Sequence, residues 1–308
     1  MAVTSEEFIA SIKRLITMPS NQNLLQDPDI LAFTQRKLRD SLVPLIDSVN
    51  EEFFVTRLEE PIIEDKTEYR IPHRSIGRRL RELKLKGPGE FIWNFPMTEI
   101  ERSQMYRPLG QPWAFYFYGD RIEVVPRPNV SNSYFLQMWW YLAPGRPILT
   151  TDAMQVQSVN GNEVTVDSAV SGYAANILVD FVQGTSGCPY LGIDKRIQSV
   201  NGNTFTFTAG DVPTDLDEGD WITLAQTSPL LQIPDEAVPY LETLVAMDCL
   251  GSIGDFDGKK NLSDDLKMQK ENLLKLLDPR IKGEPTVLLN MYGFKRGGMW
   301  FGRNWNII

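Results

Sequence analysis

One hexapeptide, Gln-Ser-Val-Asn-Gly-Asn, occurs twice in this chain of 308 residues, at 157–162 and again at 198–203. Each copy runs straight into an alternating strand, EVTV in the first and TFTF in the second. Asn-Gly between alternating segments is a strong hairpin signal, because both central residues of a type I′ turn need positive φ. The match keeps a constant offset into the flanking strands. Each copy then reaches a further strand, LVDFVQG after the first and DWITLA after the second. Two copies of one hairpin unit are too few for a solenoid and enough for one small barrel or sandwich, roughly 154–226.

Both ends of the chain read as helix. Ser5 stands as an N-cap, with Glu6 and Glu7 in the first turn where they suit the helix dipole. Phe8, Ile12, Leu15 and Ile16 form one apolar stripe, and Pro19 closes the helix. Asp27-Pro28 opens a second helix, whose buried face is Ile30, Leu31, Leu38, Leu42 and Leu45. Pro44 should kink or shorten it. Helices return near Leu231. Asp235 is the expected cap, Pro239 lies in the first turn, and Val238, Leu241, Val245 and Cys249 make the stripe. Ser263 is expected to cap a last helix with Leu266, Leu273 and Leu277 inward, ended by Asp278-Pro279. None of these helices can bury its stripe alone. The expectation is a helical bundle formed by 1–52 and 229–280.

Strand patterns fill 53–150. The segment 113–147 reads as three strands in sequence: the aromatic 114–118, the alternating 121–125 after a Gly119-Asp120 turn, and 134–142. Pro126 and Pro128 stop the ladder, since proline has no amide proton to give. Residues 99–106 could form a short helix. The predicted fold is therefore α+β: terminal helices, a central antiparallel β meander over 53–150, and an inserted β-barrel or sandwich over 151–228. Residues 281–308 remain as a C-terminal arm.

Charge and composition narrow the function. Hydrophobic residues make up 42% of the chain, enough to bury a core. The net charge of −9 argues against an ordinary nucleic-acid binder, which displaces counterions with a basic face. Cys188 and Cys249 match neither a disulfide framework nor a metal spacing, and suit a reducing cytoplasm. The opening MAVTSEEFIASIKR has no apolar core, so no signal peptide is expected, and no run approaches a membrane span.

One basic cluster interrupts the acidic background: Arg70, Arg74, Arg78, Arg79, Arg81, Lys84 and Lys86. It reads either as contact with an acidic partner or polyanion, or as a solvated strand edge whose charges block aggregation. Catalytic patterns are missing from the sequence. The single histidine, His73, has no nucleophile motif beside it. GDFDGKKN, from Gly254, is one residue short of a P-loop and lacks the glycine an EF-hand needs at position six. No enzyme, cofactor or metal is expected.

Three stretches together carry a family resemblance: GDRIEVVPRPNVSNSYFLQMWWYLAP, the module VNGNEVTV … GDWITLA, and LQIPDEAVPYLETLVAMDCLGSIGD. In this order they resemble the head-to-tail adaptor, or connector, proteins of tailed bacteriophages, particularly short-tailed ones. YRIPHRSIGRRLRELKL also looks like the strand that follows that family's N-terminal helices. The resemblance spans roughly 5–280. It implies a virion protein made in the host cytoplasm, a homo-oligomeric ring, normally of twelve copies, docked beneath the portal. Tail or nozzle proteins would bind below, and DNA would pass through the channel without sequence-specific binding. An acidic lumen would let DNA slide by repelling phosphate. The basic residues Arg70 to Lys84 would then meet an acidic surface on a neighbour or on the portal. The arm, through Phe294, Arg296, Met299, Trp300, Phe301, Arg303 and Trp305, would dock on portal or neighbour, since large aromatics anchor interfaces. Alternative readings are another tail or tube component, or a carbohydrate-binding β module stacking sugars on Trp113, Trp139, Trp140 and Trp221.

Overall fold

The structure is a computed structural model, and it describes residues 3–17, 25–99, 109–129, 134–185, 187 and 190–277. The arm at 281–308 lies outside the described residues, as does nearly all of the short helix expected at 99–106.

Helix α1 (Ser5–Leu15) starts one residue earlier in logic than expected. Thr4, not Ser5, is the cap: its hydroxyl accepts from the Glu7 amide and Glu7 returns a bond to the Thr4 amide. Ser5 is spent on tertiary structure, donating from its buried hydroxyl to the Pro229 carbonyl. Helix α2 (Asp27–Lys37) has Gln26 as its cap and Pro28 in the first turn. Pro44 acts as its position requires. The chain widens into a π turn over Leu38–Leu42, then resumes as α3 (Val43–Val49) with Pro44 in the first turn. A wide turn there accommodates both the missing amide and the ring that would press on the preceding turn.

At the far end, α4 (Val238–Ile253) places Pro239 in its first turn, after a single 3₁₀ turn at Asp235–Ala237. Gly254, at φ +83, ends α4 in the left-handed conformation that a Cβ would oppose. Helix α5 then runs from Phe256 to Leu277. Ser263 lies inside α5 and not at its start. The first-turn amide of Gly258 is satisfied by Asp255 Oδ1 at 2.8 Å. GDFDGKKN is thus a helix break followed by a cap, which explains why it resembles a loop motif and completes none. Phe8, Ile12, Ile30, Leu42 and Ile46 from the first helices share one core with Leu241, Val245, Leu250, Leu273 and Leu277 from the last. Full burial of each such side chain stabilises by about 1.5–3 kcal/mol, so the two ends of the chain hold each other.

The middle region departs from a simple meander. Its strands are β1 (Val55–Pro61), β2 (Glu68–Arg70), β3 (Ser75–Lys86), β4 (Ile92–Asn94), β5 (Leu109–Gly110), β6 (Ala114–Tyr118), β7 (Arg121–Val125), β8 (Arg127–Pro128), β9 (Phe135–Leu142) and β10 (Arg146–Pro147). β6 and β7 pair as expected, but they join β2, not β9. β9 crosses to a second sheet of order β1-β9-β3-β4. The sequence of β9, FLQMWWYL, is buried or half-buried at every position, so it needs cover on both faces and a strand on each side. The two sheets face each other across Tyr69, Phe115, Ile122 and Val124 on one side and Leu83, Leu85, Leu136, Met138 and Trp140 on the other.

The third region is a closed barrel built from the repeat. Its strands are β11 (Met154–Asn160), β12 (Glu163–Val166), β13 (Leu178–Val182), β14 (Tyr190–Asn201), β15 (Thr204–Phe207) and β16 (Trp221–Leu224), in the order β11-β12-β15-β14-β13-β16. The two hexapeptides are 41 residues apart, and the barrel keeps that offset. Val164 pairs with its equivalent Phe205, and Phe181 pairs with its equivalent Ile222. Val166 N donates to Asn203 O, and Phe207 N donates to Asn162 O, both at 2.9 Å. Even the ladder irregularity recurs, after Val156 in one copy and after Ile197 in the other. The copies are therefore related by an approximate two-fold axis through the Val164–Phe205 and Phe181–Ile222 pairs. The turns differ from the type I′ expectation. Gly161 and Asn162 are the central residues, and only the glycine has positive φ, +60 there and +58 at Gly202. That is the pattern of a II′ turn. The short strand β17 (Thr227–Ser228) pairs in parallel with β10, so the chain enters and leaves the barrel side by side.

Candidate docking surfaces

The basic strand is the first candidate, and its residues go to different places. Arg74 leaves the surface altogether: its side chain is 3% exposed and reaches across to Asp180 of the barrel, 0% exposed, at 2.8–2.9 Å. Asp180 also accepts from the amides of Asp194 and Gln226, and the Arg74 guanidinium lies 4.6 Å over the Tyr190 ring. Burial pushes the Asp180 carboxyl up from its ordinary value, while Arg74 and the two amides pull it back down. Arg79 meets Asp47 at 2.6 Å and lies over Tyr141; Arg81 meets Glu52 at 2.5 Å. Arg78 faces Asp120, Lys84 pairs with Glu82 and covers Trp139, and Lys86 faces Glu59. Arg70 is exposed on β2. β4 covers only Lys84–Lys86 of β3, so the arginines line an open strand edge. Within its own chain, Arg79 and Arg81 thus meet acid from α3 and from the turn before β1. Those partners stand some thirty residues away in sequence, too far for local pattern to reveal.

His73 is exposed, with Nε2 at 3.1 Å from Gln226 Nε2 and 3.9 Å from Asp194 Oδ2. It borders a cavity of about 310 Å³ with Arg39, Arg74, Ser75 and Gln226. On the other side of Ala143-Pro144 lies a second cavity of about 330 Å³, between Phe53, Phe54, Leu142, Tyr190 and Gln232. No group of three or more His, Cys, Asp or Glu among the described residues could hold a metal. Burial raises the Cys249 thiol to about 12, so it stays protonated inside the helical core.

The tryptophans do not form a sugar platform. Trp140 is in the sandwich core, Trp221 packs at the barrel end with Val182 and Leu230, Trp139 is flanked by Arg57 and Lys84, and Trp113 is half exposed just before β6.

Sequence reasoning missed an exposed apolar tip. Phe91, Ile92 and Trp93 on and before β4 are open to solvent, as are Met97, Trp113, Phe117 and Tyr118. Trp93 folds back over Gly87 and towards Tyr134. A Cβ on Gly87 would come within 2.2 Å of the Trp93 ring. The signal was Gly-Pro-Gly beside Phe-Ile-Trp, a turn followed by three large apolar residues with no alternation.

Charge is unevenly divided. Residues 151–228 carry two Lys/Arg against ten Asp/Glu, whereas 279–308 carry five against one. The arm residues Phe294, Arg296, Met299, Trp300, Phe301, Arg303 and Trp305 belong to that second segment and lie outside the described residues.

No family model matches this chain, and no curated protein matches it. No helix among the described residues is long and apolar enough to cross a membrane.

Proposed function

We propose that this chain is a head-to-tail adaptor of a tailed bacteriophage: a subunit of a ring, of about twelve copies by the resemblance, that joins the portal to the tail and surrounds the exiting DNA. One observation carries the reading. Helices of 5–49 and 238–277 close a single helical core, and a β-sandwich and a two-fold barrel are strung between them in the order the resemblance implies. Such a plan spends the first and last described helices on one core and leaves the β regions between them. The exposed apolar tip around Phe91–Trp93 and the acidic barrel suit contact and DNA passage. The cationic, aromatic segment 279–308 has the composition of an arm for a neighbouring or portal surface. The role is structural, in the virion, and uses no catalytic site.

The test is native mass spectrometry and negative-stain imaging of the full chain mixed with a portal ring. The reading requires a closed ring of this chain stacked on the portal. A chain that binds no portal and forms no ring refutes it.

A further inference from the structure

The two copies in the barrel have diverged on the inside and not at their tips. The interior pairs are Val156 with Ile197, Val164 with Phe205 and Val166 with Phe207, all buried and all different. The six residues of each hexapeptide are exposed and identical. Packing cannot explain that identity, because exposed side chains pack against little. Turn geometry explains only the Gly-Asn pairs, 161–162 and 202–203, and leaves Gln, Ser, Val and Asn at 157–160 and 198–201 unaccounted for.

The exposed hexapeptides are also unpaired sheet edges. β11 contacts β16 only as far as Val156, whose amide donates to Asp220 O, and β14 contacts the chain before β13 only as far as Ile197, whose amide donates to Ile177 O. Beyond those points 157–160 and 198–201 have a hairpin partner on one side and, among the described residues, no backbone partner on the other. Asn160 with Glu163 and Asn201 with Thr204 close the turns, so ladder alternation faces the amide and carbonyl of Val159 and Val200 outwards. The outer strand β1 is guarded by Arg57, Glu59, Glu60 and Pro61. The segments 156–166 and 197–207 together hold one charged residue, Glu163. Val159 and Val200 are 36% and 38% exposed.

We propose that these edges join copies of this chain. The 198–201 edge of one copy adds antiparallel to the 157–160 edge of the next, continuing one sheet from barrel to barrel. Strand directions alternate along β11-β12-β15-β14, so a neighbour in the same orientation presents its β11 antiparallel to β14. A head-to-tail contact of this kind builds a ring when the rotation closes. Charge selects the occupant. Copies with a net charge of −9 repel, and the neutral edges are where two acidic barrels can meet; a basic partner would be drawn to the acidic loops instead. The contact rests on the ring reading for its closure alone.

The experiment uses the full chain with Val159→Pro, Val200→Pro, or both, each removing one outward amide while sparing the hairpin's own bonds. Sedimentation velocity is read over a concentration series. Wild type is expected to grow with concentration, and each single variant to remain monomeric. An equal mixture of the two should form dimers and stop, since one offers only a sound β14 edge and the other only a sound β11 edge. Val159→Lys and Val200→Lys repeat the test should proline lower the melting temperature. A monomeric wild type overturns the proposal, as does a single variant that dimerises alone. A double variant that associates as well as wild type, or rings normally on portal, also overturns it and leaves the adaptor reading standing. Edge-dependent association without portal binding would do the opposite.

Discussion

Arg74 is the residue whose environment departs furthest from its sequence neighbourhood. It belongs to a run of surface arginines, yet it is buried against Asp180 in another region. Removing one partner of such a pair strands the other charge, at a cost of roughly 3–5 kcal/mol, whereas replacing both with apolar groups costs far less. Arg74→Met should lower stability in urea by about that amount, and Arg74→Met with Asp180→Leu should recover most of it. The pH dependence has a definite sign. Asp180 is already raised from 3.8 by burial, and without Arg74 it rises further. A native state that holds its proton more tightly than the unfolded chain is favoured below the unfolded value and loses that advantage as pH rises through the folded value. The single variant should therefore be more stable in acid than at neutral pH, relative to wild type, when chemical melts are compared. Cys249 gives a second expectation. In Cys188→Ser, with the remaining thiol raised to about 12, a thiol reagent at neutral pH should label only as fast as the protein opens.

At the scale of elements, the repeat illustrates what sequence can and cannot deliver. Two identical hexapeptides before alternating residues were enough for two hairpins and one small barrel. The closure order needed the structure, because pairing of Val164 with Phe205 is a fact about the assembled copies and not about either one. β9 was legible as a strand and illegible in its sheet. Its neighbours in space, β1 and β3, lie before β6 in sequence, and only the burial of both faces hints at the crossing. The helices were legible as stripes, but Ser263 misled, since a serine beside two aspartates is as good a mid-helix surface as a cap. Gly87→Ala offers a test at this scale. The methyl would force Trp93 off its glycine, and the β3–β4 hairpin should loosen, seen as a red shift in tryptophan emission with the global melt shifted by less.

For the whole molecule, the paired strands β10 and β17 place the barrel's two connections side by side. Replacing 154–226 with a short linker should therefore leave a chain that still melts cooperatively by circular dichroism, provided Arg74 is changed with it. Truncation before Gly293 tests the arm separately: the monomer should melt as the full chain does, and its pull-down with portal should be lost. The mutual burial of the two chain ends also governs how the molecule is made. Helix α1 is fixed by Pro229 and by α4, which leave the ribosome more than two hundred residues later. At about 5–20 residues per second that is a wait of roughly ten to forty seconds. Until then the stripe of Phe8 and Ile12 has no cover, while the barrel can finish first, because all its strands are consecutive. Folding would proceed from the middle outwards, with the amino-terminal helices as the sticky, chaperone-dependent part of the nascent chain.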